Sequence, residues 1–333
     1  MRRPTEPADP PARRSHSASA KPTSVLDVDL QRRIVKREGE FLLFAVTPPR
    51  LSTDMARARE IAEVTVERLR PLDVDGLILY DIDDESDRNP EERPFPFLPT
   101  MDPADYLEHH LWGWETPVVV YRATGKYAEA EIRSWTQQQD DNKRLCVFVG
   151  ASSRDKTVAT SLRRAQQIRA EVNPDLLLGG VAIPERHARS GDEHLRLIAK
   201  QEAGCSYFVT QVVYNLNAAK NLASDYRYEC LARGLQPVPI VFTFSVCGSM
   251  KTMEFFRWLG VDVPGWIENE LYHAEDTLDA SLEHAESTAL ELIVFCRRIG
   301  LPFGINIESV SIRKEEIEAS VRLAQHLRDK LAR

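Results

Sequence analysis

No apolar run in the chain approaches the roughly 20 residues that a bilayer-spanning helix requires. The longest, such as Leu176-Leu177-Leu178 leading to Val181-Ala182, fall far short of it, so no membrane partner is expected. Cysteine is scarce as well. Cys146, Cys205, Cys230, Cys247 and Cys296 are odd in number, widely spaced and mostly set in apolar segments. That pattern argues against a disulfide scaffold or a zinc site and for reduced core residues. Both common phosphate-binding fingerprints are missing: no G-x-G-x-x-G follows the first strand and no G-x-x-x-x-G-K-[ST] occurs anywhere. The pair Gly179-Gly180 lies within or at the end of a strand and opens no helix. Basic residues are outnumbered, 43 against 51 acidic, for a formal charge of -8. This argues against a general nucleic-acid binder and for small-molecule ligands.

What is present is an ordinary globular composition, 43% hydrophobic and 28% charged, sufficient for a large core. Residues 1–24 are rich in Pro, Ser, Ala and Arg with no apolar centre for a signal sequence, so they read as a disordered tail on a cytoplasmic protein. From residue 25 to 333 short apolar runs alternate with longer amphipathic ones, the βα signature of a parallel sheet. Strands are predicted at Phe41–Val46, Gly76–Asp81, Pro117–Tyr121, Leu145–Gly150, Asp175–Ala182, Tyr207–Val212, Pro237–Thr243 and Phe303–Ile307. Helices are predicted between them, for example over Thr53–Arg70 and Val158–Val172. About eight βα units favour a TIM-type (β/α)8 barrel forming one catalytic domain over an open doubly wound sheet.

In such a barrel the working side chains stand at the C-terminal ends of the strands. Strand two runs into Tyr80-Asp81-Ile82-Asp83-Asp84-Glu85, where like-charge repulsion would raise one carboxyl and make Asp81 or Asp83 a general acid. A solvated acidic loop and a divalent-metal site are the alternatives. The proline-rich segment from Glu92 to Thr100 reads as a rigid lid or ligand wall. Arg122, ending strand three, either holds an anionic ligand group or pairs with the acidic loop. Ser152 and Ser153, after strand four, either let a planar ligand approach closely or cap the next helix. His187 and His194 lie seven apart without a third ligand in a matching pattern, so no metal is expected there. Gln211, closing an apolar strand, carries the donor and acceptor needed to read an amide-like heterocycle edge, or else bonds its own neighbours.

Together these stretches resemble the methylenetetrahydrofolate reductase family, flavin-using barrels that transfer hydride to the folate methylene bridge. Lys200 followed by Ala203-Gly204 and Val209-Thr210-Gln211 is similar to the family block K-x-x-A-G-A-x-x-x-I-T-Q. Ile183-Pro184-Glu185-Arg186-His187 is similar to Y-P-E-x-H, and Met253-Glu254-Phe255-Phe256 through Val263-Pro264-Gly265-Trp266 to a helix followed by I-P-x-W. The resemblance runs from about Phe41 to Arg313 and is strongest in the second half. It implies that Gln211 bonds the pterin, that Lys200 lies near cofactor phosphates, that Arg313 lies near folate or flavin, and that Ser152, Ser153 and His187 stand on the cofactor side. It implies an oxidoreductase of one-carbon metabolism with a tetrahydrofolate substrate, NAD(P)H as hydride source and FAD as cofactor.

One departure matters most. The family's first strand ends F-E-F-F-P-P, where this chain has Phe44-Ala45-Val46-Thr47-Pro48-Pro49, so a methyl group stands where the family carries its general acid. The family's acidic residue after strand four falls at Ser152 or Ser153, and its flavin-side tyrosine at Ile183. Three accounts follow: Asp81 or Asp83 supplies the acid from the adjacent strand; the barrel performs altered one-carbon or redox chemistry; or it binds folate or flavin without turnover, as a regulatory partner. Without flavin, hydride would pass directly from nicotinamide to folate. The acidic stretch from Glu268 to Asp279 reads as an interface between copies in a homo-oligomer or as a solvated loop.

Overall fold

A computed structural model describes residues 29–331 apart from 88, 141, 142, 152, 154 and 155. The predicted tail and Ser152 lie outside the described residues. Eight parallel strands close into a barrel in sequence order, each paired with the next and β8 with β1. They are β1 (Phe41–Val46), β2 (Gly76–Leu79), β3 (Val118–Ala123), β4 (Arg144–Val149), β5 (Leu177–Ala182), β6 (Cys205–Val212), β7 (Ile240–Ser245) and β8 (Phe303–Glu308). Among the described residues the helices are α1 (Asp29–Val35), α2 (Met55–Leu69), α3 (Pro103–His109), α4 (Glu129–Gln137), α5 (Leu162–Val172) and α6 (Pro184–Ser190). They continue as α7 (Glu193–Glu202), α8 (Leu216–Ala232), α9 (Met250–Trp258), α10 (Gly265–His273), α11 (Thr277–Ile299) and α12 (Lys314–Arg328). The TIM-type barrel expected from the βα alternation is the observed fold.

β1 lies at its predicted bounds, and each other strand has at least one boundary moved by one to three residues, most at β7, where Pro237 and Pro239 hold the start back to Ile240. Helix starts follow local capping. The Asp54 carboxylate accepts the Arg57 N–H at the head of α2, and the Ser161 hydroxyl accepts the Arg164 N–H at the head of α5, later than the predicted starts. No helix of the described residues is long and apolar enough to cross a membrane. All five cysteines are free and buried.

The apolar residues fall into two layers, as the period-two alternation of a strand requires. Outward-facing residues such as Leu42, Phe44, Leu77, Leu79, Phe242 and Phe244 pack against the helices. Inward-facing ones, including Phe41, Leu43, Ala45, Ile78, Val119, Val147, Tyr207 and Val209, fill the barrel together with Leu30 and Ile34 of α1. α1 therefore closes the N-terminal end, and the C-terminal end is left to the chemistry.

Two large rings fit inside only because glycines face them. A Cβ on Gly179 would lie 2.5 Å from the Tyr207 ring, and one on Gly304 would fall well inside contact distance of the Phe41 ring. Tyr207 also donates its hydroxyl proton to the Cys146 carbonyl at 3.0 Å, which fixes its ring across the barrel. Adding a methyl here overpacks a closed core, so Gly304→Ala is expected to lower unfolding stability by about 1–3 kcal/mol in a denaturant titration. An unchanged midpoint would show that Phe41 has room to yield.

Candidate functional site

The inward positions at the C-terminal end of the barrel carry polar groups where the lower layers carry hydrocarbon. On β8 the inward residues are Gly304, Asn306 and Glu308; on β7 they are Val241, Thr243 and Ser245; on β1 they end at Ala45. Register pairs Glu308 with Ala45 on one side and with Ser245 on the other. The strand next to Ala45 thus supplies a carboxyl at the same level, pointing into the same space.

Glu308 sits in a defined network. Tyr80, directly after β2, donates its hydroxyl proton to the Glu308 carboxyl. The Asn306 amide donates to the Tyr80 hydroxyl at 3.1 Å and to the Thr243 hydroxyl at 3.3 Å. Tyr121 packs edge-on against Tyr80, with ring centroids 4.9 Å apart. Burial pushes the Glu308 carboxyl from its ordinary 4.5 up to about 7, against the Tyr80 hydrogen bond, which pulls it down. A carboxyl with a pKa near 7 exchanges its proton around neutral pH, the range in which a general acid works. Two further polar atoms in this layer, Asn306 Oδ1 and Ser245 Oγ, are buried without a hydrogen-bond partner. They offer an acceptor and a donor to whatever enters the mouth.

The residues singled out from sequence are placed elsewhere around the rim. Asp81 follows the inward Tyr80, so alternation turns it out of the barrel. Its carboxylate accepts from the Ala123 N–H at 2.7 Å, from Lys126 Nζ at 2.5 Å and from the Tyr127 hydroxyl at 2.9 Å. Asp83 pairs with Lys156 at 2.8 Å. Arg122 is also turned outward: it bonds Asp102 at 2.5 Å and lies 4.6 Å from the centroids of both the Tyr127 and Trp135 rings. Gln211 stands at the end of β6, donating to the Leu259 carbonyl and accepting from the Val212 N–H, each at 3.2 Å. Arg313 caps α12 beside Glu316, 3.6 Å away. The proline-rich segment packs on α9, with the Arg93 guanidinium 5.2 Å and 5.0 Å from the Phe255 and Trp258 ring centroids.

The residues assigned to a flavin do not make a fitting donor set. Lys200 is half-buried and its ammonium bonds the Val181 carbonyl, with desolvation holding its pKa below the ordinary lysine value. Ser153 donates to Asp87 at 2.6 Å, and His187 contacts Asp225 at 3.1 Å. Lys200 and Ser153 each donate to a protein acceptor, and the one unpartnered nitrogen of His187, Nδ1, is buried, so the three do not converge on a phosphate or an isoalloxazine ring. A cavity of about 220 Å³ does exist beside Tyr214, Trp266 and His284, but its lining comes from the starts of α8 and α10 and from α11, and from no inward-facing strand residue.

Sequence reading passed over Glu308 because the predicted strand stopped at Ile307. The alternation Gly304, Asn306, Glu308 was the available signal.

No family model matches the chain, and no curated protein does. Among solved structures, 2,3-dimethylmalate lyase (12% identity over 90% of this chain and 94% of that one, TM-score 0.40) and a GH10 endoxylanase from a sugarcane soil metagenome (8% over 83% and 87%, TM-score 0.47) align too weakly to carry any argument. A third differs in kind: an uncharacterized protein from Clostridium thermocellum that binds two copies of 5-methyl-5,6,7,8-tetrahydrofolic acid, 44% identical over 90% of this chain and 99% of its own, with a TM-score of 0.80. At that identity and coverage, this chain belongs to the family of the Clostridium thermocellum protein.

Proposed function

We propose that this barrel binds a reduced folate at its C-terminal mouth and acts there as a methylenetetrahydrofolate reductase-like oxidoreductase, with Glu308 in the role of the missing first-strand acid. The observation that carries the reading is the register of β8 with β1: a buried, inward carboxyl stands beside Ala45. The folate bound by the Clostridium thermocellum relative is the product this reaction would yield, which supports the choice of substrate.

The chemistry is balanced by groups on hand. Glu308 protonates the folate N10 as the bond from N10 to the methylene carbon breaks, leaving an iminium at N5. A hydride from NAD(P)H then adds to that carbon, giving the N5-methyl group and oxidised nicotinamide. Tyr80 and Asn306 position the carboxyl, and the unpartnered Asn306 Oδ1 and Ser245 Oγ are the groups available to an amide-bearing pterin edge, which Gln211 would join by exchanging its bonds to Leu259 and Val212. Because the flavin-side residues are engaged elsewhere, direct hydride transfer from the nicotinamide is the form proposed. Ala45 itself favours a second reading, a folate-binding protein without turnover.

Anaerobic NADH or NADPH oxidation with methylenetetrahydrofolate separates these readings. Glu308→Gln is expected to lower kcat by about 10²- to 10⁴-fold, the usual worth of a positioned acid, while 5-methyltetrahydrofolate still binds. Adding Ala45→Glu to that variant is expected to restore part of the rate, since position 45 faces the same space. Loss of turnover in Asp81→Asn with full activity in Glu308→Gln would move the acid to β2. Folate binding without turnover in the unaltered protein would favour the second reading.

The same carboxyl makes stability pH-dependent. With its folded pKa raised from 4.5 to about 7, Glu308 binds its proton more tightly in the native state than in the unfolded chain. Its contribution is therefore fully present below about pH 4.5 and lost as pH rises through about 7, a change on the order of 3 kcal/mol. Glu185, also raised by burial to about 7, acts in the same direction. Urea unfolding between pH 5 and pH 8, read with reference to these values, should show a shallower loss for Glu308→Gln than for the unaltered chain. Parallel pH profiles would mean that Glu308 is already ionised across this range.

A further inference from the structure

His187 and His194, which the sequence separates by seven positions, are brought together by the turn between α6 and α7, and α8 lays Asp225 against them. One ligand atom from each of the three residues lies within 4.8 Å of the other two. The His187 Nε2 to Asp225 Oδ2 separation is 3.1 Å. Ligands at about 2.0–2.1 Å around a tetrahedral ion lie about 3.3 Å from one another, so this pair already has nearly the spacing of one coordination edge.

Two further observations point to a ligand. The Nδ1 atoms of His187 and of His194 are both buried without a hydrogen-bond partner. A neutral imidazole carries one donor and one acceptor, and leaving either unmet in the interior costs stability. The exposure is also graded: the His187 side chain is 5% exposed and that of Asp225 is 54%, so the group opens from the helical layer to solvent. The imidazole rings meet edge to face at 5.3 Å between centroids, an arrangement in which a modest ring rotation brings nitrogens toward one point.

We propose that His187, His194 and Asp225 form a site for a divalent transition-metal ion of the zinc type, with the solvent-facing coordination position left to water. Two imidazoles and a carboxylate suit such an ion better than magnesium or calcium, which prefer all-oxygen shells. The ion clamps α6, α7 and α8 together on the outer face of the barrel, behind the ends of β5 and β6. It is independent of Glu308 and of the folate reading, because none of its ligands faces the barrel interior.

The test uses untagged full-length protein stripped with chelator and titrated with Zn²⁺ alone, then with Co²⁺ to read the ligand-field absorption. The expected result is one equivalent of Zn²⁺ per chain, a rise in melting temperature on loading, and a Co²⁺ spectrum of a four-coordinate N/O site. Asp225→Asn, at an exposed position, and His194→Gln, at a half-buried one, are each expected to weaken Zn²⁺ binding at least about 10-fold, the lower end of what even outer partners of a metal ligand cause. His326→Gln, whose ring pairs with Glu286 on another face, serves as the control and is expected to bind normally. Substoichiometric uptake, or affinity unchanged in both ligand variants, overturns the site.

Discussion

Register between the first and last strands is the constraint on which the rest of this protein depends. A barrel closes only when its end strands pair at a fixed offset, and here that offset sets Phe41 opposite Gly304 at the bottom and Ala45 opposite Glu308 at the top. The lower pairing lets a ring fill the barrel, because glycine yields the space. The upper pairing puts a carboxyl into a layer otherwise lined by Tyr80, Ser245 and Asn306. A slip by one residue would turn Glu308 toward the helices and bring Ile307 inward.

The polar layer above the apolar floor shows how burial sets chemistry. Burial raises the Glu308 carboxyl to about 7 against the pull of the one hydrogen bond from Tyr80, so it keeps its proton to a higher pH than an exposed glutamate does. Asp81, just after β2, has a buried side chain as well, yet it is surrounded by three donors, one of them an ammonium. The two carboxyls differ in surroundings because one faces the barrel interior and the other the helical layer.

The architecture was open to reading from sequence to the extent that it is periodic. Alternating short apolar and long amphipathic runs gave eight strands in the right order, and the spacing of the cysteines pointed to free, buried thiols. The site was less open. The dense acid cluster after β2 drew attention by composition, whereas Glu308 is a lone acid in Phe-Gly-Ile-Asn-Ile-Glu, recognisable only once strand phase is followed to the last residue. His187 and Asp225 are thirty-eight positions apart on different helices, a distance at which no local spacing signals a shared site. Lys200 illustrates another difficulty, since a motif match locates a residue in the chain but does not say that its ammonium is spent on the Val181 carbonyl.

The plug formed by α1 has a consequence for traffic. Leu30 and Ile34 pack beneath Phe41 and Leu43, so among the described residues the barrel has a floor, and its door is at the opposite end. On the function proposed above, a pair of reactants meeting at Glu308 would arrive and leave by that door, and the one bound deeper would be held until the outer one had gone. Sequence of entry would then be built into the scaffold, with a helix at the far end of the barrel deciding the order in which molecules queue at the near one.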